Sequence, residues 1–197
     1  GKSGNSMKVL IIGNEGYIGP HIVDRIKKNN IQSYVAGFDI GYFAHTITAN
    51  VFPERKIDIQ YRGDVRKFPE DLLKGFDAVV YLAAISNDPM GKEFEKITFD
   101  VNYHSAITIA KAAKKAGIHH FIYASSCSVY GSVDEKPRKE NSKLDPLTAY
   151  AKSKVLTEEA LEPIASDNFI VTCLRFATAC GFSPRVRLDL VLNDFVA

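Results

Sequence analysis

Short apolar runs and amphipathic stretches alternate along this chain. Residues 8–12, 57–61, 77–81, 120–124 and 169–175 are rich in β-branched and aromatic side chains, as is 33–38, which ends against Asp39. Runs of this length and composition predict strands buried on both faces of a parallel sheet. Between them, residues 20–26, 97–116 and 150–165 carry apolar positions at helical spacing, and Pro146 and Thr148 lie just ahead of the last of these helices. The β-α alternation predicts an α/β domain with a doubly wound parallel sheet, in which ligands lie at the carboxyl ends of the strands. No internal repeat or low-complexity linker interrupts the pattern, and residues 42–55 form its one long irregular stretch.

Composition narrows the class. A chain of 197 residues is long enough for one such domain with its own core. Its 25 basic and 23 acidic residues nearly balance, which argues against a nucleic-acid-binding surface. Cys127, Cys173 and Cys180 have neither metal-ligand nor disulfide spacing, so free thiols in a reducing cytoplasm are the expectation. His21, His45, His119 and His120 have no spaced partner ligands, and no metal is expected. No apolar run reaches membrane-spanning length. Residues 1–6 are small and polar and read as an appended remnant, not a targeting signal.

The first strand runs straight into Gly13-Asn14-Glu15-Gly16-Tyr17-Ile18-Gly19, and a helix follows. Gly13 permits the tight turn, Gly16 lets a pyrophosphate approach the backbone, and Gly19 allows close packing of helix on strand. The helix N-terminus offers unpaired N–H groups and the positive end of its dipole, and Pro20 is compatible with a first-turn position. Asp39 closes the second strand twenty residues after Gly19. A carboxylate there hydrogen-bonds the adenosine ribose 2′-hydroxyl and repels a 2′-phosphate. No lysine or arginine follows Asp39 until Arg55, so the expected cofactor is NAD, not NADP, bound on a Rossmann fold. Residues 42–55 then make a loop on the adenosine side.

A second constellation carries proton chemistry. Tyr150 and Lys154 are four residues apart on the predicted helix 150–165, and therefore share a face. An ammonium beside a phenol favours the phenolate and lowers the tyrosine pKa from about 10. The phenol can then serve as acid or base near neutral pH. A serine-rich strand end, Ser125-Ser126, precedes Tyr150 and offers hydroxyls to hold a reacting oxygen. Ser125, Ser126 and Ser128 all compete for that role.

With these motifs in order, the chain from Met7 onward resembles the extended short-chain dehydrogenase/reductase family, the group of NAD-dependent nucleotide-sugar epimerases and dehydratases that includes UDP-glucose 4-epimerase-like proteins. Gly13-x-x-Gly16-x-x-Gly19 resembles its phosphate loop, with Tyr17 and Ile18 inside it. Gly63-Asp64-Val65 resembles the segment that meets the adenine, and Tyr81-Leu82-Ala83-Ala84 the strand end beneath adenosine and ribose. Asn102 resembles a position on the long helix that helps order the site. Segment 124–131 resembles the catalytic-serine segment and singles out Ser126; Tyr150-x-x-x-Lys154 resembles the catalytic helix.

The resemblance implies that Tyr150 exchanges a proton with a sugar hydroxyl while NAD exchanges a hydride with the same carbon. Ser126 holds the reacting oxygen, and Lys154 contacts the nicotinamide ribose. It also implies substrate contacts at Ser126, Thr178 and Arg187, and Arg185 is a further candidate for the substrate phosphates. 4,6-Dehydratases of the family carry an Asp-Glu pair after the serine position, where Cys127-Ser128 stands here, so 4-epimerisation is expected over that elimination. Ala177 replaces an asparagine common in the epimerases, which leaves the sugar open. The alternatives are a net nucleotide-sugar dehydrogenase or reductase, and a non-catalytic NAD-binding sensor. Relatives continue into a substrate-binding domain. Residues 7–180 would be the NAD-binding domain and 181–197 the start of a truncated second one, so that this fragment alone is expected to be inactive. The resemblance implies a homodimer through a four-helix bundle of helices 97–116 and 150–165, and both helices carry apolar positions beyond one sheet-facing stripe.

Overall fold

The computed structural model describes residues 6–41, 56–85, 92–131 and 138–177. Six strands form one sheet, β1 (Lys8–Ile12), β2 (Tyr34–Asp39), β3 (Ile59–Arg62), β4 (Ala78–Tyr81), β5 (His120–Ser126) and β6 (Ile170–Phe176), in the order β3-β2-β1-β4-β5-β6. Every pairing is parallel. The expected Rossmann-type sheet is therefore present, and the direction in which successive strands are added reverses between β1 and β4. Each strand lies within two residues of the stretch that the apolar runs marked.

Side chains alternate across the sheet and build two cores. Val9, Ile11, Val35, Ala78 and Val80 face one side, where Ile22, Val23 and Ile26 of α1 (Gly19–Asn29) pack on them. Leu10, Ile12, Phe38, Val79, Tyr81, Phe121 and Tyr123 face the other, against α3 (Ser105–Lys115) and α4 (Ala149–Leu161). Thr148 caps α4 by accepting the Ala151 N–H at 3.0 Å.

Two departures from the sequence pattern have physical causes. Helix 97–116 starts earlier, as α2 (Lys92–Phe99), and widens into a π-helical turn over Asp100–His104 before α3. Tyr81 and Tyr123 are fully buried and need acceptors. Their hydroxyls donate to the carbonyls of Val101 (2.6 Å) and Asn102 (3.2 Å), and Thr157 also donates to the latter at 3.0 Å. The wide turn supplies those carbonyls, and burial holds both phenols neutral, well above their ordinary pKa. Secondly, the β3–β4 crossover holds only 3₁₀ turns, Val65–Lys67 and Glu70–Leu73, because Pro69 separates them.

Candidate cofactor and proton-transfer site

The switch between β1 and β4 is where Gly13 sits. Its φ is +86°, and an added Cβ would lie 2.5 Å from the Ala83 backbone nitrogen, so the close meeting of the two strand ends requires glycine. Ala83 and Leu82 donate their N–H groups to Ile12 O at 3.1 and 2.8 Å, which fixes Leu82, Ala83 and the exposed Ala84 at the floor of the crevice. At Gly19 an added Cβ would strike the Asn14 carbonyl oxygen at 2.0 Å, so α1 enters tightly against the loop. Gly16 differs: an added Cβ would meet nothing closer than 3.6 Å. The loop backbone there faces open space, as close approach by a pyrophosphate requires. Tyr17 and Ile18 are half-buried between it and α1. No side chain caps α1, whose first turn contains no acidic residue. The loop therefore fits an anionic, phosphate-bearing group.

The loop is locked from below. Asn14 and Gln60 exchange amide hydrogen bonds of 2.7 and 3.1 Å across Gly37, where any Cβ would collide with the Asn14 side chain. Asp39 accepts the N–H groups of Glu15 (2.9 Å) and Gly41 (2.8 Å). Burial raises its carboxyl pKa, partly offset by those two N–H groups. The premise that no base lies near Asp39 needs correction: β2–β3 pairing sets Arg62 directly beside it, and Arg62 ion-pairs with buried Glu15. Asp64 caps the turn after β3 through the Arg66 N–H and pairs with the Arg66 guanidinium at 2.6 Å, which lowers its pKa. Val65 packs beside it against the core.

At the other end of the crevice, β5 delivers Ser126 and α4 delivers Tyr150 and Lys154. Ser126 Oγ accepts from the Ser128 backbone N–H at 3.1 Å and from the Ser128 hydroxyl at 2.9 Å, so Ser128 supports Ser126. Lys154 is 2% exposed; its Nζ donates to Ala124 O at 2.7 Å and lies 5.4 Å from the Tyr150 ring centre and 4.7 Å from that of Tyr123. Burial brings its pKa down to about 7, with Glu158 opposing the fall. The lysine is thus poised between charged and neutral at physiological pH, where helix spacing alone implied a permanent cation.

Asn102 is completely buried, and its side chain pairs with the Ile85 backbone, accepting at 2.8 Å and donating at 3.1 Å, with a longer donation to Ser153 Oγ at 3.3 Å. It holds the segment after β4. Thr178 and Arg187, with Arg185 and Cys180, lie outside the described residues, as do residues 181–197 and loop 42–55.

A network that spacing did not reveal lies beneath the serines. Glu158 accepts from Nη2 and Nε along one edge of the Arg175 guanidinium (2.6 and 3.0 Å) and from Ser125 Oγ at 2.5 Å. Arg175 also donates to the Tyr130 hydroxyl at 2.8 Å and to Glu140 O. Ser125 is thereby committed to α4, whereas Ser126 is half-buried and bonded to Ser128. Glu158 stands four residues after Lys154, a helical spacing that was available as a signal. Cys127 donates its S–H to Arg175 O at 3.2 Å, and burial pushes the Cys173 thiol up to about 11.

Known proteins resemble this chain. A profile described as the NAD dependent epimerase/dehydratase family matches residues 9–194. UDP-glucose 4-epimerase of Lactobacillus helveticus is 29% identical over 182 residues, covering 90% of this chain and 53% of that protein. An uncharacterised UDP-glucose epimerase of Bacillus subtilis is 30% identical over 200 residues, covering 96% and 61%. Among solved structures, UDP-glucuronic acid 4-epimerase from Bacillus cereus, in complex with UDP-glucuronic acid and NAD, superposes with a TM-score of 0.79 at 26% identity, covering 95% of this chain and 61% of that one. The chain thus spans little more than half the length of the relatives it matches.

Proposed function

Because the chain belongs to the NAD dependent epimerase/dehydratase family, we propose that the protein it comes from is a nucleotide-sugar 4-epimerase, which oxidises and re-reduces one sugar carbon through a keto intermediate. The observation that carries this reading is the buried Lys154, bonded to the Ala124 carbonyl two residues before Ser126 on β5 and 5.4 Å from the Tyr150 ring centre, in a sheet whose first strand ends in an open glycine loop. NAD bound along Gly13, Gly16, Tyr17, Ile18 and Gly19, with its adenosine end at Asp39, Asp64 and Val65, would supply a hydride acceptor and donor. Leu82, Ala83 and Ala84 would line its ribose side. Ser126 then orients the sugar hydroxyl, Tyr150 takes and returns its proton, and Lys154 tunes the phenol from beneath the ring. Thr178 and Arg187 are proposed to touch the nucleotide sugar.

Elimination is less well served. A solved relative of TM-score 0.80 is an NDP-hexosamine 5,6-dehydratase, but here the two groups after Ser126 are committed elsewhere. Cys127 donates to the Arg175 carbonyl and Ser128 to Ser126, so neither offers a matched acid and base. The deciding assay incubates the complete protein with UDP-glucose, UDP-glucuronic acid and UDP-arabinose and resolves the products. Inversion at C4 without net NADH release is expected. Stoichiometric NADH with a keto sugar would replace the reading with a net dehydrogenase, and cofactor binding without turnover of any nucleotide sugar would replace it with a sensor.

Two quantities follow. NAD should bind more tightly than NADP, and Asp39→Ala should narrow that preference, since it removes a carboxylate that repels a 2′-phosphate. Calorimetry showing equal or better affinity for NADP in the unmodified chain would defeat this. We further propose a homodimer through α2–α3 and α4. The structure reduces the surface available, because Ile109, Ala110, Ala112, Ala113, Ala151 and Leu161 are buried within the subunit. Leu156 remains exposed, flanked by half-buried Val155 and Ala160. Sedimentation at tens of micromolar, about the range at which a modest interface holds, should give a dimer; a clean monomer sinks the proposal.

A further inference from the structure

The carboxyl ends of β1, β2 and β3 converge on a charge cluster that the proton-transfer chemistry does not use. Glu15 lies inside the phosphate loop, and its side chain is only 1% exposed. Its backbone N–H donates to Asp39 at 2.9 Å, and its carboxylate pairs with Arg62, whose side chain remains 51% exposed. Gly41 completes the cluster. It donates to the other Asp39 oxygen at 2.8 Å, and its φ is +81°. An added Cβ there would lie 3.2 Å from Arg62 Nη1 and 3.6 Å from Glu15 Oε2, so guanidinium and carboxylate pass directly over this glycine.

The composition of the cluster is unusual for the chemistry it borders. An arginine near the end of the second strand is the ordinary means of accepting a ribose 2′-phosphate, because a guanidinium binds phosphate in bidentate fashion. Here such an arginine is present, half in solvent and in register with Asp39. Its charge is already taken by a carboxylate on the loop. Two carboxylates face one guanidinium, and the local sum stays negative.

We infer that Glu15 is a specificity-determining residue: by holding Arg62 it withholds that guanidinium from a ribose 2′-phosphate and keeps an arginine-bearing site selective for NAD. The inference rests on the reading of the Gly13–Gly19 loop as the dinucleotide site. It assigns discrimination against NADP to two groups, the repelling Asp39 and the engaged Arg62. Loss of the Glu15 charge leaves Arg62 opposite Asp39 alone, with donors free for an incoming phosphate.

The test measures NAD and NADP affinities by calorimetry for the wild-type chain, Glu15→Gln, Arg62→Leu and the double variant. Glu15→Gln keeps the side-chain volume and should tighten NADP relative to NAD by about ten- to a hundredfold, the size of one charge-assisted hydrogen bond gained. The double variant should lose that gain, because the phosphate then has no guanidinium to meet. Arg62→Leu alone should leave the preference for NAD about as strict as in the wild type, because the guanidinium it removes does not meet the phosphate. An unchanged NAD-to-NADP ratio in Glu15→Gln, with NAD still bound, overturns the inference and leaves the dinucleotide site standing. A wild-type chain that binds neither cofactor removes the site and the inference together. Should Glu15→Gln fail to fold, as judged by its thermal melt, Arg62→Leu decides: a preserved preference supports the inference, and one tenfold or more stricter, which would mean that Arg62 already meets the 2′-phosphate, overturns it, as does a narrowed one.

Discussion

Tyr150→Phe is expected to lower kcat of the complete protein on its nucleotide sugar by roughly 10²–10⁴-fold, the usual worth of a positioned acid–base group. The change in KM should be small. The substitution deletes one oxygen and keeps the ring, which lies 5.4 Å from Lys154 Nζ and so retains its packing on that side chain. A proton transfer is made only in the transition state, so its loss appears in kcat and kcat/KM alike. The pH profile gives an independent reading. Lys154, brought down to about 7 by burial, changes charge across the physiological range, and activity should vary with pH there in wild type. Near wild-type turnover in Tyr150→Phe would move the proton to another group and dismantle the proposed chemistry.

Much of the frame was readable from the chain because parallel strands buried on both faces leave continuous apolar runs. Val9 to Ile12 and Ala78 to Tyr81 are such runs, and the sheet uses them as marked. The phosphate loop was equally visible, since its glycines answer local demands: a positive φ at Gly13 and a close approach at Gly19. What escaped was set by tertiary pairing. Arg62 is twenty-three residues from Asp39 in the chain and next to it in the sheet, a proximity that only the register of β2 on β3 creates. The π-helical turn was hidden for a related reason, because it answers the hydroxyls of Tyr81 and Tyr123, which arrive from other elements. Asn102 was placed correctly on the long helix, but its bond to the Ile85 backbone depends on where β4 ends. Lys154 shows the limit of helix spacing as an electrostatic argument. Spacing placed the ammonium by Tyr150, yet only the fold shows how thoroughly it is removed from water, and so how far its charge is weakened.

The Glu158–Arg175 pair is the part of this site with the most stability at stake. Glu158→Ala is expected to cost about 3 kcal/mol, toward the low end for breaking a buried ion pair, because 20% of the Arg175 side chain still meets solvent. Three consequences add. Arg175 keeps only Tyr130 and the Glu140 carbonyl as acceptors, Ser125 loses the partner of its hydroxyl, and the truncation leaves a void between α4 and β6. For a domain of this size the melting temperature should fall by roughly 6–12 °C. Glu158→Gln retains two polar ends and should lose less. A paired replacement of Glu158 and Arg175 by methionine should recover much of the loss, since apolar groups of similar volume remove both desolvation costs at once. The same variant tests the link to proton transfer. Glu158 opposes the fall of the Lys154 pKa, so its removal should lower that pKa further, and the part of the pH profile that reports loss of the ammonium beside the phenol should move to lower pH. Chemical denaturation of Glu158→Ala showing a loss below about 1 kcal/mol, the worth of an exposed pair, would mean that solvent already reaches the bridge and that α4 is held to β6 by packing alone.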